Sequence, residues 1–339
     1  MMSWIRSAPK VELHVHLDGS LRSSTVRELF SQLPADHPLV VDGGDPIEQV
    51  SPPERCSLEE YLRAFDVTIA LLQTREALAR AAYELCEDAA QENVIYTEIR
   101  FAPLYHIAEG LKPRDVVLAA LDGLRQAEEA HGIKAGLILS AIKQDSTESS
   151  LEVAQLAAQF AGRGVVGFDL AGPERLYPPL LHRQAIDFVH AAGVPLTIHA
   201  GEGCCPEQIR EAVDLGADRI GHGVYLLRDP GTEQRIAQKQ IPLEMCPTSN
   251  LQISGFIQKY SDHPIKRYFD LGIPVTINTD NRLMSKIDLT HEYECIAEAF
   301  DFSREQVRQL VYHAVDAAFA PDEIKGELRT RVDAYFASL

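Results

Sequence analysis

Residues 10–22 read KVELHVHLDGSLR, and what this stretch becomes sets the reading of the whole chain. Val11, Leu13, Val15 and Leu17 alternate with Glu12, His14, His16 and Asp18 until Gly19 breaks the run. A period of two belongs to a β-strand. Alternation places His14 and His16 on one face, close to the strand's C-terminal end. Two imidazoles so placed can close on one cation at the roughly 2.0–2.1 Å of a zinc–nitrogen bond. A lone His-x-His pair is more often two ordinary half-buried histidines, so the weight falls on how the other strands end.

Seven further runs read as strands: 94–101 (VIYTEIRF), 134–142, 165–171 (VVGFDLA), 194–200 (VPLTIHA), 218–222 (DRIGH), 241–246 (IPLEMC) and 273–280 (IPVTINTD). Helical patterns at 113–131, 149–161, 180–192, 206–215, 230–239 and 265–271 fall between them. The strands are β-branched and nearly continuously apolar, as in a parallel sheet covered by helices. Eight such units predict a (β/α)8 TIM barrel, with an open doubly wound sheet as the alternative. No GxGxxG follows the first strand, which counts against a dinucleotide-binding sheet.

The barrel is expected to form a single domain over 1–339, since barrels run to this length as one unit. Extra helices are expected after the first strand, as a lid insertion over about 23–92, and at the C-terminus over 289–300, 303–318 and 321–336. Inside the insertion, 34–53 is rich in Pro, Gly and Asp and reads as loop. Ser57-Leu58-Glu59-Glu60 has the form of a capping box. Leu58, Tyr61, Leu62 and Phe65 then recur at i, i+3, i+4 and i+7 of one helix. Such a stripe is ordinarily core, and its place just after a strand end also suits a lid over a site.

Composition narrows the partners. Lys and Arg number 32 against 50 Asp and Glu, a net charge of −18, and no basic cluster exceeds two residues. Nucleic acid and anionic membrane surfaces need a basic face, so neither is an expected partner. A small neutral or cationic substrate is compatible. MMSWIRSAPK lacks an apolar stretch of signal-peptide length, and no run approaches a membrane span. The six cysteines are scattered without a CxxC pair, and Cys204 and Cys205 are neighbours. The expectation is a reduced, cytoplasmic protein without a disulfide framework.

In a barrel the C-terminal strand ends converge on one face, where catalytic groups sit. Those ends carry His14 and His16, then Gly172, then His199 and Glu202, then His222, then Asp280 and Asn281. Three histidines and one aspartate supply a donor set suited to zinc. Glu202 and His222 remain as acid–base groups beside it.

At these residues the sequence resembles the adenosine deaminase family of amidohydrolase-type barrels. The matching motifs are KVELHVHLDGS at 10–20, DLAGPE at 169–174, HAGE at 199–202, RIGHG at 219–223, CPTSN at 246–250 and NTDN at 278–281. The resemblance implies a zinc-dependent hydrolytic deaminase of adenosine or 2′-deoxyadenosine, yielding the inosine product and ammonia. It implies one Zn²⁺ per chain on His14, His16, His199 and Asp280, with Glu202 as proton donor to the purine ring. By the same resemblance His222 orients and deprotonates the attacking water. Gly172 meets the purine N3, Asp18 a ribose hydroxyl, and the helix with Leu58, Tyr61, Leu62 and Phe65 is the apolar gate. One position departs from the family's best-known form, which has Asp-Asp where this chain has Asp280-Asn281. Its partner, purine N7, is an acceptor, and an Asn amide donates at any pH.

The nearest rivals keep the mechanism and change the 6-aminopurine: free adenine, or aminodeoxyfutalosine. Two-metal ester or amide hydrolases often bridge their metals with a carboxylated Lys, and no Lys lies near the end of the fourth strand. The other zinc deaminases carry an HxE…PCxxC site, and here Cys246-Pro247 is not followed by CxxC. A non-enzymatic barrel would be expected to lack Glu202 or one of the ligands, and all are present.

Overall fold

All eight strands are present and form one parallel sheet in chain order. The computed structural model describes residues 3–41 and 43–338. The strands are β1 (Lys10–His16), β2 (Val94–Phe101), β3 (Lys134–Ile142), β4 (Val165–Ala171), β5 (Leu196–Ala200), β6 (Arg219–His222), β7 (Leu243–Met245) and β8 (Val275–Ile277). The sheet closes where Val15 pairs with Asp280: His16 N–H donates to Asp280 O at 2.7 Å, and Asp280 N–H to His14 O at 3.0 Å. The fold is the (β/α)8 barrel.

Strands five, seven and eight start later than the sequence suggests because each is preceded by a proline, and β7 and β8 also end earlier, at Met245 and Ile277. Pro195, Pro242 and Pro274 have no N–H for the ladder, yet their carbonyls accept from Phe168, Ile220 and Leu243 at 2.9–3.0 Å. Regular pairing starts only after them.

The barrel interior is charged. Glu98, Arg100, Asp169, Arg219 and Glu244 are all buried there. Glu244 is the hub: it accepts from Arg219 Nε at 2.6 Å, Arg100 Nη2 at 2.8 Å, His14 Nδ1 at 2.8 Å and Thr197 Oγ1 at 3.0 Å. A buried charge without a partner costs several kcal/mol, so this network survives only because every member is paired. Aliphatic residues pack on the other strand face against the surrounding helices.

Between β1 and β2 the chain is helical, with differences from expectation. The 34–53 loop holds two short helices, Pro38–Val41 and Pro46–Gln49, the second capped by Asp45, which accepts from Ile47 N–H at 3.0 Å. The Ser57–Glu60 capping box is formed in both directions. The stripe lies on two helices, Leu58–Leu62 and Phe65–Leu71. At the joint the ladder tightens to i, i+3 bonds, Ala64 N–H to Tyr61 O and Asp66 N–H to Arg63 O. The turn stays right-handed, so the four apolar side chains keep a common side.

Outside that insertion three α-helices were not expected, Ser3–Ser7, Pro247–Ile253 and Arg282–Ser285. Buried Lys10 caps the first by donating to the carbonyls of Ile5, Arg6 and Ala8. The C-terminal helices are Leu289–Phe300, Arg304–Ala317 and Asp322–Ala337. Among the described residues no helix is long and apolar enough to cross a membrane.

Candidate active site

Four donor atoms from three strand ends converge. His16 Nε2 lies 3.3 Å from His199 Nε2, and Asp280 Oδ1 lies 3.4 Å from both His14 Nε2 and His16 Nε2. The four donors lie within 4.8 Å of one another. Four ligands at about 2.0–2.1 Å around a tetrahedral ion stand about 3.3–3.4 Å apart, so the residues fit a single cation. His14 Nε2 is buried without a hydrogen-bond partner, which suits a nitrogen that could ligate a cation. Burial holds the His16 imidazole down at about 3, so it stays neutral with its lone pair free.

Three of the four candidate donors, His14, His199 and Asp280, are oriented from behind. Glu244 accepts from His14 Nδ1, Asp169 accepts from His199 Nδ1 at 3.0 Å, and Ser249 Oγ donates to Asp280 Oδ2 at 2.7 Å. Carboxylate partners of this kind fix the tautomer and raise the basicity of the ligating nitrogen. Burial alone would push the Glu244 carboxyl up, but Arg100 and Arg219 outweigh it and hold the group well below its ordinary range. Asp280 and His222 both sit at positive φ, 63° and 62°, backbone strain of the sort found at functional sites.

Glu202 stands beside the cluster, its Oε1 3.6 Å from His222 Nε2. Burial and the carboxylates of Asp280 and Glu174 push its carboxyl well up, against the opposing charge of Lys143. Its loop is tied from below. Glu174 accepts from the N–H groups of Glu202 at 3.1 Å and Cys204 at 3.3 Å. Lys143 Nζ donates to His199 O at 2.7 Å and to Gln208 Oε1 at 3.0 Å. Sequence reasoning assigned no role to Glu174, Lys143, Asp169 or Glu244. The available signal was a charged residue inside or ending an apolar strand run, which must find a partner once buried.

A cavity of about 440 Å³ opens over the cluster, and most of the predicted residues line it. These are His16, Asp18, Leu58, Tyr61, Leu62, Phe65, Gly172, His199, Glu202, Asp280 and Asn281. His14 and His222 lie behind this wall, fully buried. Asp66, Ile69, Tyr105, Ser140 and Gln144 are among the other lining residues and had not been singled out. Asp18 Oδ1 is buried without a partner, and its Oδ2 lies 3.6 Å from His106 Nε2.

Gly19 makes room for Asn281. A Cβ there would stand 1.8 Å from Asn281 Oδ1 and 3.0 Å from Asn281 Cβ. Gly19→Ala is therefore expected to displace the Asn281 amide and raise KM at least severalfold with bound metal unchanged. Steady-state kinetics with metal analysis checks this, and an unaltered KM would show that the Asn281 side chain is not part of the binding surface.

One expectation is corrected on this loop. Cys204 and Cys205 are joined, with sulfurs 1.98 Å apart, whereas Cys56, Cys86, Cys246 and Cys295 are free thiols. Chain adjacency alone brings the two sulfurs together, so the bond ties no separate elements and adds no framework.

The adenosine deaminase family model matches residues 9–335. The adenosine deaminase of Clostridium acetobutylicum is 40% identical over 335 residues, covering 97% of this chain and 98% of that one. Among solved structures, the N6-mAMP deaminase of Arabidopsis superposes with a TM-score of 0.90 at 31% identity, covering 98% of this chain and 100% of its own. A zinc-bound amidohydrolase from Burkholderia ambifaria superposes at 0.86 with 27% identity, covering 99% and 94%. On a match that runs through every strand of the barrel, the chain belongs to the adenosine deaminase family.

Proposed function

We propose that this chain deaminates adenosine and 2′-deoxyadenosine by adding water at C6, releasing ammonia and leaving the inosine product. The observation that carries the reading is Glu202, a buried carboxylic acid with a raised pKa beside a four-donor metal site at the floor of an apolar cavity. Zinc suits three imidazoles and a carboxylate, and one ion per chain suits a single cluster of this size. When bound, such an ion makes water a nucleophile at neutral pH.

The chain's own groups do the rest. An aromatic C6 accepts a nucleophile only as N1 gains a proton, and Glu202, whose carboxyl is pushed well up by burial and by Asp280 and Glu174, is placed to supply it. His222 orients the attacking oxygen. Gly172, at φ 98°, presents backbone to the purine edge, where a Cβ would meet Gln144 Oε1 at 2.6 Å. Asn281 donates to N7. Leu58, Tyr61, Leu62 and Phe65 close over the base as an apolar lid and exclude water.

The sugar end favours a nucleoside over a nucleotide. Among the described residues the lining carries no Lys or Arg, while Asp18 and Asp66 contribute carboxylates. A 5′-phosphate would meet repulsion there, whereas a hydroxyl finds in Asp18 an acceptor.

The test is a parallel absorbance assay of adenosine, 2′-deoxyadenosine, AMP, adenine and aminodeoxyfutalosine, with metal analysis of the same sample. Adenosine and its 2′-deoxy analogue should be turned over best, with one zinc per chain. Asp18→Ala should lower kcat/KM for adenosine by about 1.5–3 kcal/mol, the loss of a charged hydrogen bond, and leave any activity on adenine nearly unchanged. Equal losses on nucleoside and base would reassign Asp18 to a structural role, and preference for AMP or adenine would overturn the substrate assignment.

A further inference from the structure

Behind His222 runs a chain of hydrogen bonds whose direction is fixed by a backbone amide. Ile265 N–H lies 3.2 Å from His263 Nδ1, and an amide N–H can only donate, so Nδ1 accepts. In the neutral ring the hydrogen is then on Nε2, which lies 3.2 Å from Asn250 Oδ1. His263 is buried, and burial holds it down at about 3, so the ring is neutral. Cys246 N–H also approaches Asn250 Oδ1, at 3.4 Å, so that oxygen faces donors alone and the amide orientation is determined. Asn250 Nδ2 therefore points the other way, to His222 Nδ1 at 3.0 Å, and donates to it. The hydrogen of a neutral His222 is left on Nε2. That atom is buried without a protein partner and faces Glu202 Oε1 at 3.6 Å.

We infer that His263 and Asn250 are positioning residues that lock His222 as the Nε2–H tautomer, so that His222 donates a hydrogen bond to the attacking oxygen, and the proton that oxygen loses passes to solvent and not to His222. The inference rests on the reading of His222 as the group that faces the nucleophile. It changes what that group does. A ring whose Nδ1 already accepts a hydrogen has no free lone pair turned to the site, and Nε2 carries a hydrogen where a base would need an empty orbital lobe. The expected deprotonating role of His222 is thus replaced by orientation of the oxygen through Nε2–H.

The zinc-loaded enzyme, labelled with ¹⁵N at histidine, provides the direct test, because the two ring nitrogens have distinct shifts in the two tautomers. The expected result is a His222 ring protonated at Nε2. A hydrogen on Nδ1 overturns the inference whatever the activity, and leaves the substrate assignment untouched. Asn250→Asp replaces the donating amide with an acceptor, so the His222 hydrogen should move to Nδ1. His263→Leu removes the donor that orients Asn250, and His263→Gln restores an N–H near the place of Nε2. His263→Leu should lower kcat about 10–100-fold with zinc content and KM unchanged, the effect expected of an outer partner of a site residue. His263→Gln should recover most of that loss. A His263→Leu enzyme with normal kcat, or one that Gln does not rescue, would overturn the positioning role. If His263→Leu fails to fold, the ¹⁵N spectrum of the unmodified enzyme still decides.

Discussion

Glu202→Gln is expected to lower kcat for adenosine by about 10²–10⁴-fold, the contribution of a positioned general acid, while zinc remains bound. The amide keeps the shape of the side chain and the loop held by Glu174, so binding should change little. What is lost is the proton. On the proposed mechanism the acid form of Glu202 is the active one. Burial and the charges of Asp280 and Glu174 raise its pKa, so activity should persist above the ordinary carboxylate range and fall as pH rises through the raised value. The variant should lack that basic limb. A pH profile of kcat, with metal analysis of each sample, checks both parts, and near-normal turnover would mean that another acid protonates N1.

The second large effect is expected at Glu244, which touches no substrate. Glu244→Gln keeps the volume and removes the charge on which Arg100, Arg219 and His14 converge. Taking one partner from a buried charge network costs about 3–5 kcal/mol, because the remaining charges stay in a low-dielectric interior. Glu98 and Asp169 still face the two arginines at 2.7 and 3.7 Å, which limits the loss without cancelling it. Denaturant unfolding of metal-free protein should show the lower stability. Zinc affinity should fall about 10–100-fold in addition, since His14 loses the carboxylate that sets its ring. Stability within 1 kcal/mol of the parent, by the scale of surface changes, would show that the network is carried by its other members.

How much of this was legible in the sequence differs by element. The eight βα units and the donor residues at the strand ends could be read from local pattern, whereas the order and closure that exclude the open sheet came from the structure. Period-two alternation put His14 and His16 together, and His199, His222 and Asp280 were read at the ends of apolar strand runs. The apolar stripe of Leu58, Tyr61, Leu62 and Phe65 was also local information, and it lines the cavity although its helix is broken in two.

Pairings between distant residues were not legible. Glu244 meets His14 across 230 positions of sequence, and Arg282 meets Glu12 across 270. No local pattern carries such a contact, because a charged residue in a strand shows that a partner is needed and not which one it is. The tautomer of His222 lies at the far end of the same limit. It depends on Asn250, on the helix Pro247–Ile253, meeting His263 and the Ile265 amide from the segment that opens the next α-helix. The sequence by itself determined the barrel and which side chains stand at its strand ends, because those follow from the pattern of the strands and the residue types that close them. Only the tertiary structure decided which carboxylate holds which ring, and on which nitrogen the hydrogen sits, because hydrogen-bond direction is a property of partners meeting in space.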